Sequence, residues 1–243
     1  MRLKAVIAYD GTAYHGFQRQ APEREPSIQG TLEGALRKIG QAGGVLGAGR
    51  TDAGVHASGQ VIAFDVNWRH GVADLQRALN ATLPADIAVL ELEQATDTFH
   101  PRYDAVSRTY RYRLSHTRVR NPLLTRYALH VPQELDVEAL RRAVAHLIGT
   151  HDFAAFGQPT VGESTTRSLY RAEVNAEGSL IAIELEANGF LYRMVRRIVG
   201  TLIPIGRGER TEADFVAILQ AADPHRAGPA VAPQGLCLTQ VNY

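Results

Sequence analysis

The sequence predicts an α+β fold built from two successive halves, and three observations lead to that prediction. Helix-spaced and strand-spaced hydrophobic patterns alternate through the first hundred residues and then alternate again. Of the 243 residues, 45% are hydrophobic and 21% are charged, which is typical of a globular protein with a substantial core. No short-period repeat or low-complexity segment interrupts the alternation. We place the join near residues 101 to 107 and expect an N-terminal half over 1–105 and a C-terminal half over 106–243.

The first half is predicted to begin with a strand over residues 1–10, which turns polar too soon for a signal peptide. Apolar residues recur at helical spacing over 31–40 and over 72–83, so we expect a helix in each segment. Runs rich in β-branched and aromatic residues over 61–66 and in aliphatic residues over 87–92 predict two further strands.

The second half is predicted to begin with a strand over 109–114, where tyrosine or leucine alternates with arginine. This period of two places aromatic and charged side chains on opposite faces. Helical patterns follow over 137–148, 190–202 and 212–221, and strands are expected over 168–176 and 179–187, joined by a hairpin turn at Glu177-Gly178. Stretches rich in glycine, proline and small residues, 157–164 and 222–233, are expected to be exposed or mobile loops.

Composition and charge narrow the class of protein. A single cysteine, Cys237, excludes an intramolecular disulfide framework and a multi-cysteine metal site, and it fits a reducing compartment such as the cytoplasm. No apolar run approaches the roughly 18 to 20 residues that span a bilayer. The net charge of +1 says little about nucleic acid, but arginines are unevenly placed: six against one acid over 102–120 and four against none over 187–208. Because arginine is the preferred bidentate partner of phosphate, these stretches are candidates for binding an RNA backbone.

One loop, residues 47–61, concentrates the candidate chemistry, because four glycines surround an arginine and a carboxylate that are two residues apart. A glycine-rich loop lets its backbone approach a ligand closely. The guanidinium of Arg50 could pair with Asp52 and keep that carboxylate ionised, as a nucleophile or general base requires. An aspartate that caps a turn beside its salt-bridge partner is the commoner explanation of such a tripeptide, so the residues alone leave both alternatives open.

Longer strings favour the functional alternative. The string Gly49-Arg50-Thr51-Asp52-Ala53-Gly54-Val55-His56 resembles the signature of the tRNA pseudouridine synthase A (TruA) family. Further segments that resemble the family occur in family order from about residue 5 to residue 240: Tyr9-Asp10-Gly11-Thr12, Gly16-Phe17-Gln18-Arg19-Gln20, Ser27-Ile28-Gln29-Gly30-Thr31-Leu32-Glu33, Phe99-His100-Pro101-Arg102, Ser107-Arg108-Thr109-Tyr110-Arg111-Tyr112, Met194-Val195-Arg196, Val199-Gly200 and Gly235-Leu236-Cys237-Leu238. The resemblance therefore covers essentially the whole chain. It departs from the family pattern at Phe17, where tryptophan is usual, and at Cys237, where an aromatic residue is common.

The resemblance implies the pseudouridine synthase fold, in which two pseudo-equivalent halves surround a mostly antiparallel central sheet, with helices packed on it and a cleft between the halves. It implies that Asp52 is the catalytic nucleophile or base. It implies that Tyr110 stacks on the target base, although a half-buried strand tyrosine is the alternative on spacing alone. It implies that Arg196 lies against the catalytic aspartate, although an arginine on the exposed edge of a buried helix is the alternative.

The resemblance also implies contacts to the substrate. Arg50 is assigned to the flipped-out nucleotide, Leu236 to apolar cover over the base, and Arg108 and Arg111 to the tRNA, while His56 is expected to be a hydrogen-bond anchor. The implied reaction is isomerisation of uridines 38, 39 and 40 in the anticodon stem-loop by a homodimer, with no cofactor. We expect no metal, since no second histidine or cysteine stands at ligand spacing, and neither DNA nor a membrane as partner.

Two other classes of function are compatible with parts of the sequence. A non-catalytic RNA-binding protein could also combine two α+β halves with aromatic and arginine side chains, but no strand carries the Gly-Phe-Gly-Phe-like run expected there. A hydrolytic enzyme could use Asp52 with a partner acid, but no second carboxylate stands beside it in sequence.

Overall fold

The computed structural model describes residues 1–21, 25–159 and 162–243. In chain order these form β1 (Arg2–Tyr9), α1 (Ile28–Lys38), β2 (Leu46–Gly47), β3 (His56–Asp65), α2 (Val72–Thr82), β4 (Ile87–Gln94), β5 (Ser107–Ser115), β6 (Leu129–His130), α3 (Val137–Ala145), β7 (Gly149–Asp152), β8 (Thr166–Glu177), β9 (Leu180–Ala187), α4 (Met194–Gly206), α5 (Glu212–Ala221) and β10 (Leu236–Asn242). Short 3-10 helices lie at Gly11–Ala13 and Pro233–Gly235. None of the helices in the described ranges is long and apolar enough to cross a membrane.

The chain divides into two compact units, Met1–Val106 with Cys237–Tyr243, and Ser107–Leu236. These units differ from the predicted halves at Val106 and in the last seven residues. The last seven residues join the first unit because Cys237 and Leu238 of β10 pair in parallel with His56 and Ala57 of β3. The assignment of functions to residues 1–105 and 106–243 stays a prediction.

The first unit contains a sheet in the order β4-β1-β3-β10, with β2 added to β3. Pairing is antiparallel except between β10 and β3. Alternate residues of β1 are buried, and helices α1 and α2 add a leucine stripe each to the core. Helix α1 begins after Ser27, whose hydroxyl accepts a hydrogen bond from the Gly30 backbone N–H at 3.1 Å.

The second unit contains an antiparallel sheet in the order β5-β9-β8-β7, with β6 added in parallel to β5. One face is apolar, since Tyr112 and Leu114 lie opposite Ile183 and Ile181 and all four are fully buried. The other face is charged, since Arg111, on the alternate position, lies opposite Glu184. The predicted separation of aromatic and charged side chains on β5 is therefore confirmed.

The α+β class and the mostly antiparallel sheet are confirmed, and a helix overlaps each of the five segments predicted to be helical. Helix α4 was predicted four residues early, over 190–202, but it begins at Met194. The reason is Arg193, whose φ of 60° and ψ of 12° are left-handed and cannot continue a right-handed helix backwards. Short strands β2, β6 and β7 were missed, because two to four residues carry too weak a periodicity to detect, and β10 was missed as well.

Candidate functional site

The loop between β2 and β3 carries Asp52 in the first unit. The hydroxyls of Tyr9 and Thr51 form a buried hydrogen bond of 2.8 Å. The Phe17 N–H donates to the Thr51 carbonyl at 3.0 Å, and the Val55 N–H donates to the Asp52 carbonyl at 3.1 Å. The backbone is therefore held on both sides of Asp52, so its side chain extends from a fixed position in the loop.

Two glycines of the N-terminal segment approach this loop so closely that a side chain would not fit. A Cβ on Gly16, at φ 104°, would lie 2.8 Å from the Thr51 carbonyl oxygen and 3.3 Å from the Asp52 carbonyl carbon. A Cβ on Gly11 would overlap the Val55 carbonyl group. The segment that follows the first strand thus packs directly against the backbone of the Asp52 loop.

A polar cluster fixes the end of the same loop. Nδ1 of the buried His56 accepts a hydrogen bond from the Gly11 N–H at 3.1 Å and lies 3.1 Å from Asp10 Oδ1. Asp10 also accepts from the N–H and the hydroxyl of Thr12, at 3.0 and 2.6 Å. His56 is therefore a hydrogen-bond anchor, as predicted, and sequence reasoning missed Asp10 although it lies in a string that matches the family.

Arg50 lies in the same loop with an exposed side chain. The loop is braced there by Gln60, whose side-chain amide donates to the Gly49 carbonyl at 2.7 Å. The pairing of Arg50 with Asp52 stays a prediction. The contacts that the structure shows around Asp52 hold its backbone, through the Thr51 and Asp52 carbonyls.

Tyr110 lies on β5 in the second unit, on the apolar face of the sheet and opposite Leu185. It is 9% exposed, and its ring meets Phe190 edge to face, with centroids 5.0 Å apart. Arg108, two residues earlier on the same face, donates from Nη1 to the Asn188 carbonyl at 3.0 Å. These two predicted substrate contacts therefore share one face and both touch the segment that follows β9.

Arg111 lies on the opposite face of the same strand. Its Nε donates to Glu184 Oε1 at 2.6 Å, and Glu184 also accepts from Arg171 at 3.1 Å. Burial alone would raise the pKa of Glu184, but the hydrogen bonds and charges of the two arginines outweigh it and lower that pKa. The structure therefore does not bring Arg111 together with Tyr110.

Arg196 lies in the first turn of α4, where Nε donates to the Val231 carbonyl at 2.7 Å. The Val231 N–H in turn donates to the Arg196 carbonyl at 3.2 Å. The Tyr112 hydroxyl donates to the next carbonyl, that of Ala232, at 2.6 Å. Burial raises the pKa of Tyr112, and the positive charge of Arg196 offsets part of that rise. The segment 222–233, predicted as a loop, is thus attached to α4 and β5.

Leu236 is 6% exposed at the start of β10. The preceding residue, Gly235, packs on Tyr112 so closely that a Cβ there would lie 2.6 Å from the ring. Tyr112 thus contacts the segment between Arg196 and Leu236, at Ala232 and Gly235, a role that sequence reasoning missed because a fully buried strand tyrosine has no distinctive pattern. The other predicted loop, 157–164, includes residues 160 and 161, which lie outside the described residues.

Comparisons with known proteins identify the family to which the chain belongs. A family model described as tRNA pseudouridine synthase matches residues 5–104 and 143–243. A protein of Moorella thermoacetica named tRNA pseudouridine synthase A is 43% identical over 99% of each chain. Proteins of the same name from Geobacillus kaustophilus (strain HTA426) and Streptococcus pneumoniae (strain P1031) are each 42% identical over the whole of this chain, which aligns with 94% and 98% of their lengths. Among solved structures, the crystal structure of a Cbf5-Nop10-Gar1 complex aligns with 83% of this chain and 54% of that chain at 11% identity and a TM-score of 0.33, too low to inform the site.

Proposed function

The chain belongs to the tRNA pseudouridine synthase family and is an isomerase of tRNA uridines, and from this we propose that it converts uridines 38, 39 and 40 of the anticodon stem-loop to pseudouridine. We propose further that it works in the cytoplasm as a homodimer, without a cofactor or metal, and that it binds neither DNA nor membranes. Recognition through RNA shape and phosphates would suit three adjacent targets better than the reading of individual bases.

The observation that carries the proposal is the fixed backbone around Asp52. A catalytic carboxylate must stay within about 0.5 Å of its working position, which favours a residue whose main chain is held by its surroundings. The bonds to the Thr51 and Asp52 carbonyls and the contact with Gly16 supply that support. We assign Asp52 the role of nucleophile or general base.

The reaction rearranges the uridine without changing its composition. The bond from N1 to C1′ breaks, the freed base turns, and C5 bonds to C1′ in its place. The proton of C5 passes to solvent and N1 gains a proton, so atoms and charges balance. The detached base must be kept from water meanwhile, which requires the target nucleotide to be turned out of the RNA into an enclosed site.

The remaining assignments rest on the resemblance of the motifs, with support from local geometry. We assign Tyr110 to the target base and Arg196 to the catalytic carboxylate, and we assign Arg50, Leu236 and Arg108 to the substrate. We also assign Arg111 to a phosphate of the RNA, for which its guanidinium would have to break its ion pair with Glu184.

The test is release of tritium from tRNA transcripts that carry tritium at C5 of uridine. We expect release by the wild type, loss of release with Asp52→Asn, and normal release with Asp97→Asn, a matched change at an exposed aspartate. Asp52→Asn activity within about tenfold of wild type, equal to about 1.4 kcal/mol of barrier, would refute the assignment. Absence of release from the wild type together with tight tRNA binding would favour a non-catalytic RNA-binding protein.

A further inference from the structure

The segment between β9 and α4, residues 188–193, carries two exposed side chains that have no role in the reaction described above. We call it the β9–α4 loop. Tyr192 is 44% exposed, and the Cζ atom of Arg193 lies 4.8 Å from the centre of its ring. An exposed aromatic ring beneath a guanidinium is a surface on which a planar group can stack.

The β9–α4 loop is held in place by contacts along its length. Asn188 exchanges hydrogen bonds with Ser168: its N–H donates to the Ser168 carbonyl and its side-chain oxygen accepts from the Ser168 N–H, both at 3.1 Å. The Tyr192 N–H donates to the Gln158 carbonyl at 2.9 Å. Gly157 fits under the loop because a Cβ there would lie 2.7 Å from Leu191 and from the Tyr192 carbonyl. The exposed ring is therefore presented by a backbone that is already ordered.

Arg193 adopts a backbone conformation that favours glycine. Its φ of 60° is positive, and Ala222 is the only other residue besides glycines with a positive φ in the part of the chain that the structure describes. Strain of this kind persists where the surrounding contacts impose it, and it concentrates at sites that bind ligands. Here it turns the chain sharply between Tyr192 and the helix that carries Arg196, so that ring and guanidinium meet.

The charge around this pair favours an anionic partner. No acidic residue occurs from 187 to 208, a stretch that contains four arginines. Within the described ranges the Arg193 guanidinium makes no ion pair with a carboxylate. An unpaired nucleotide offers both an aromatic base for the ring and a phosphate for the guanidinium, whereas the acidic side chains of a protein segment carry no aromatic ring.

We propose that Tyr192 and Arg193 form a stacking site for one unpaired base of the RNA substrate, adjacent in the RNA to the target uridine. The adjacency follows from the chain, since the same loop places Phe190 against Tyr110 and ends three residues before Arg196. The inference rests on the proposed function, because it takes the roles of Tyr110 and Arg196 from there.

Binding of an anticodon stem-loop RNA, measured by fluorescence anisotropy at fixed salt, tests the site. We expect Tyr192→Ala to raise Kd about tenfold, since loss of one base stack has effects of this order, and Tyr192→Phe to keep Kd within about twofold. Arg193→Ala should raise Kd and reduce the salt dependence by about one phosphate contact. Tyr170→Ala, which removes a 53% exposed tyrosine from β8 of the same unit, is the matched control and should leave Kd within about twofold.

Abasic nucleotides identify the partner of the ring. Each base of the RNA loop is removed in turn, and at one position next to a target uridine the Tyr192→Ala effect should disappear, because the stack is already lost. The inference would be overturned if the Kd of Tyr192→Ala stayed within about twofold of wild type, or if the substitution raised Kd by the same factor on every abasic RNA.

Tritium release by the wild type is measured on the same preparations. If the wild type releases tritium and Tyr192→Ala binds the RNA as tightly as the wild type, the stacking site alone is refuted. If the wild type releases no tritium, but Tyr192→Ala weakens binding and the abasic RNAs trace that effect to one nucleotide, the proposed reaction is refuted and the stacking site is supported.

Discussion

Replacement of Gly16 by alanine should separate the positioning of Asp52 from the stability of the fold. The new Cβ would lie 2.8 Å from the Thr51 carbonyl oxygen, whereas ordinary contact begins at 3.4 Å, so the two must separate by 3.4 minus 2.8, or about 0.6 Å. A shift of this size exceeds the roughly 0.5 Å within which a catalytic group must be held. Because the Thr51 carbonyl directly precedes Asp52, the displacement reaches the carboxylate.

Gly40→Ala provides the matched control for the backbone penalty. Gly40 also has a positive φ, 78°, but nothing lies within 4 Å of the position of its Cβ. Both variants should therefore lose roughly 1 to 2 kcal/mol of unfolding free energy through the left-handed conformation, and only Gly16→Ala should also move the loop.

Urea unfolding and tritium release should be measured on both variants. We expect Gly16→Ala to lower kcat about tenfold or more with little change in KM for tRNA, because displacement of about 1 Å can reduce a rate about a hundredfold and the shift here is about 0.6 Å. Gly40→Ala should keep kcat within about twofold. The reasoning is refuted if Gly16→Ala folds and turns over as fast as Gly40→Ala.

Three further outcomes are expected. Tyr9→Phe should lower the unfolding free energy by about 0.5 to 1.5 kcal/mol in urea titrations, because it removes the buried hydrogen bond to Thr51. Arg111→Ala should weaken tRNA binding less than Arg108→Ala in anisotropy titrations, because Arg111 is engaged by Glu184. For Tyr112, whose pKa is raised above its ordinary value of 10.0, the unfolded chain loses the phenolic proton first as pH rises, so stability should fall above about pH 10, and Tyr112→Phe should reduce that fall.

Periodicity predicted the long elements because each buries one face. Helix α5 was predicted with its observed limits, Glu212–Ala221, since Thr211 caps its start and the residues before and after it break the pattern. Helix α4 shows where periodicity fails: Phe190 and Leu191 are apolar at helical spacing, yet Arg193 turns the chain before the helix begins. A left-handed arginine leaves no mark in a sequence, because the conformation is imposed by contacts from elsewhere in the fold.

The sequence names candidate members of the site, but it does not predict the contacts that hold them. A string such as Arg50-Thr51-Asp52 identifies a candidate carboxylate, but the sequence suggested that its neighbour in the chain would support it. The structure adds hydrogen bonds from the N–H groups of Phe17 and Val55, which are backbone contacts and are therefore independent of side-chain type. Interactions of this kind cannot be deduced from residue identity.

The glycines of the Asp52 loop suggest a general lesson about such strings. Their density indicated a backbone that approaches a ligand, but several have partners within the protein itself. A Cβ on Gly47 would lie 2.5 Å from the Phe17 ring, a Cβ on Gly59 would overlap the Thr239 carbonyl, and Gly54 has a φ of 76°. A high density of glycines thus indicates that other atoms lie close to the backbone, but it does not show whether they belong to a ligand or to the protein itself. What distinguishes this loop is that the close contacts hold the backbone of a carboxylate, and that property, unlike the glycine count, is one that a catalytic role requires.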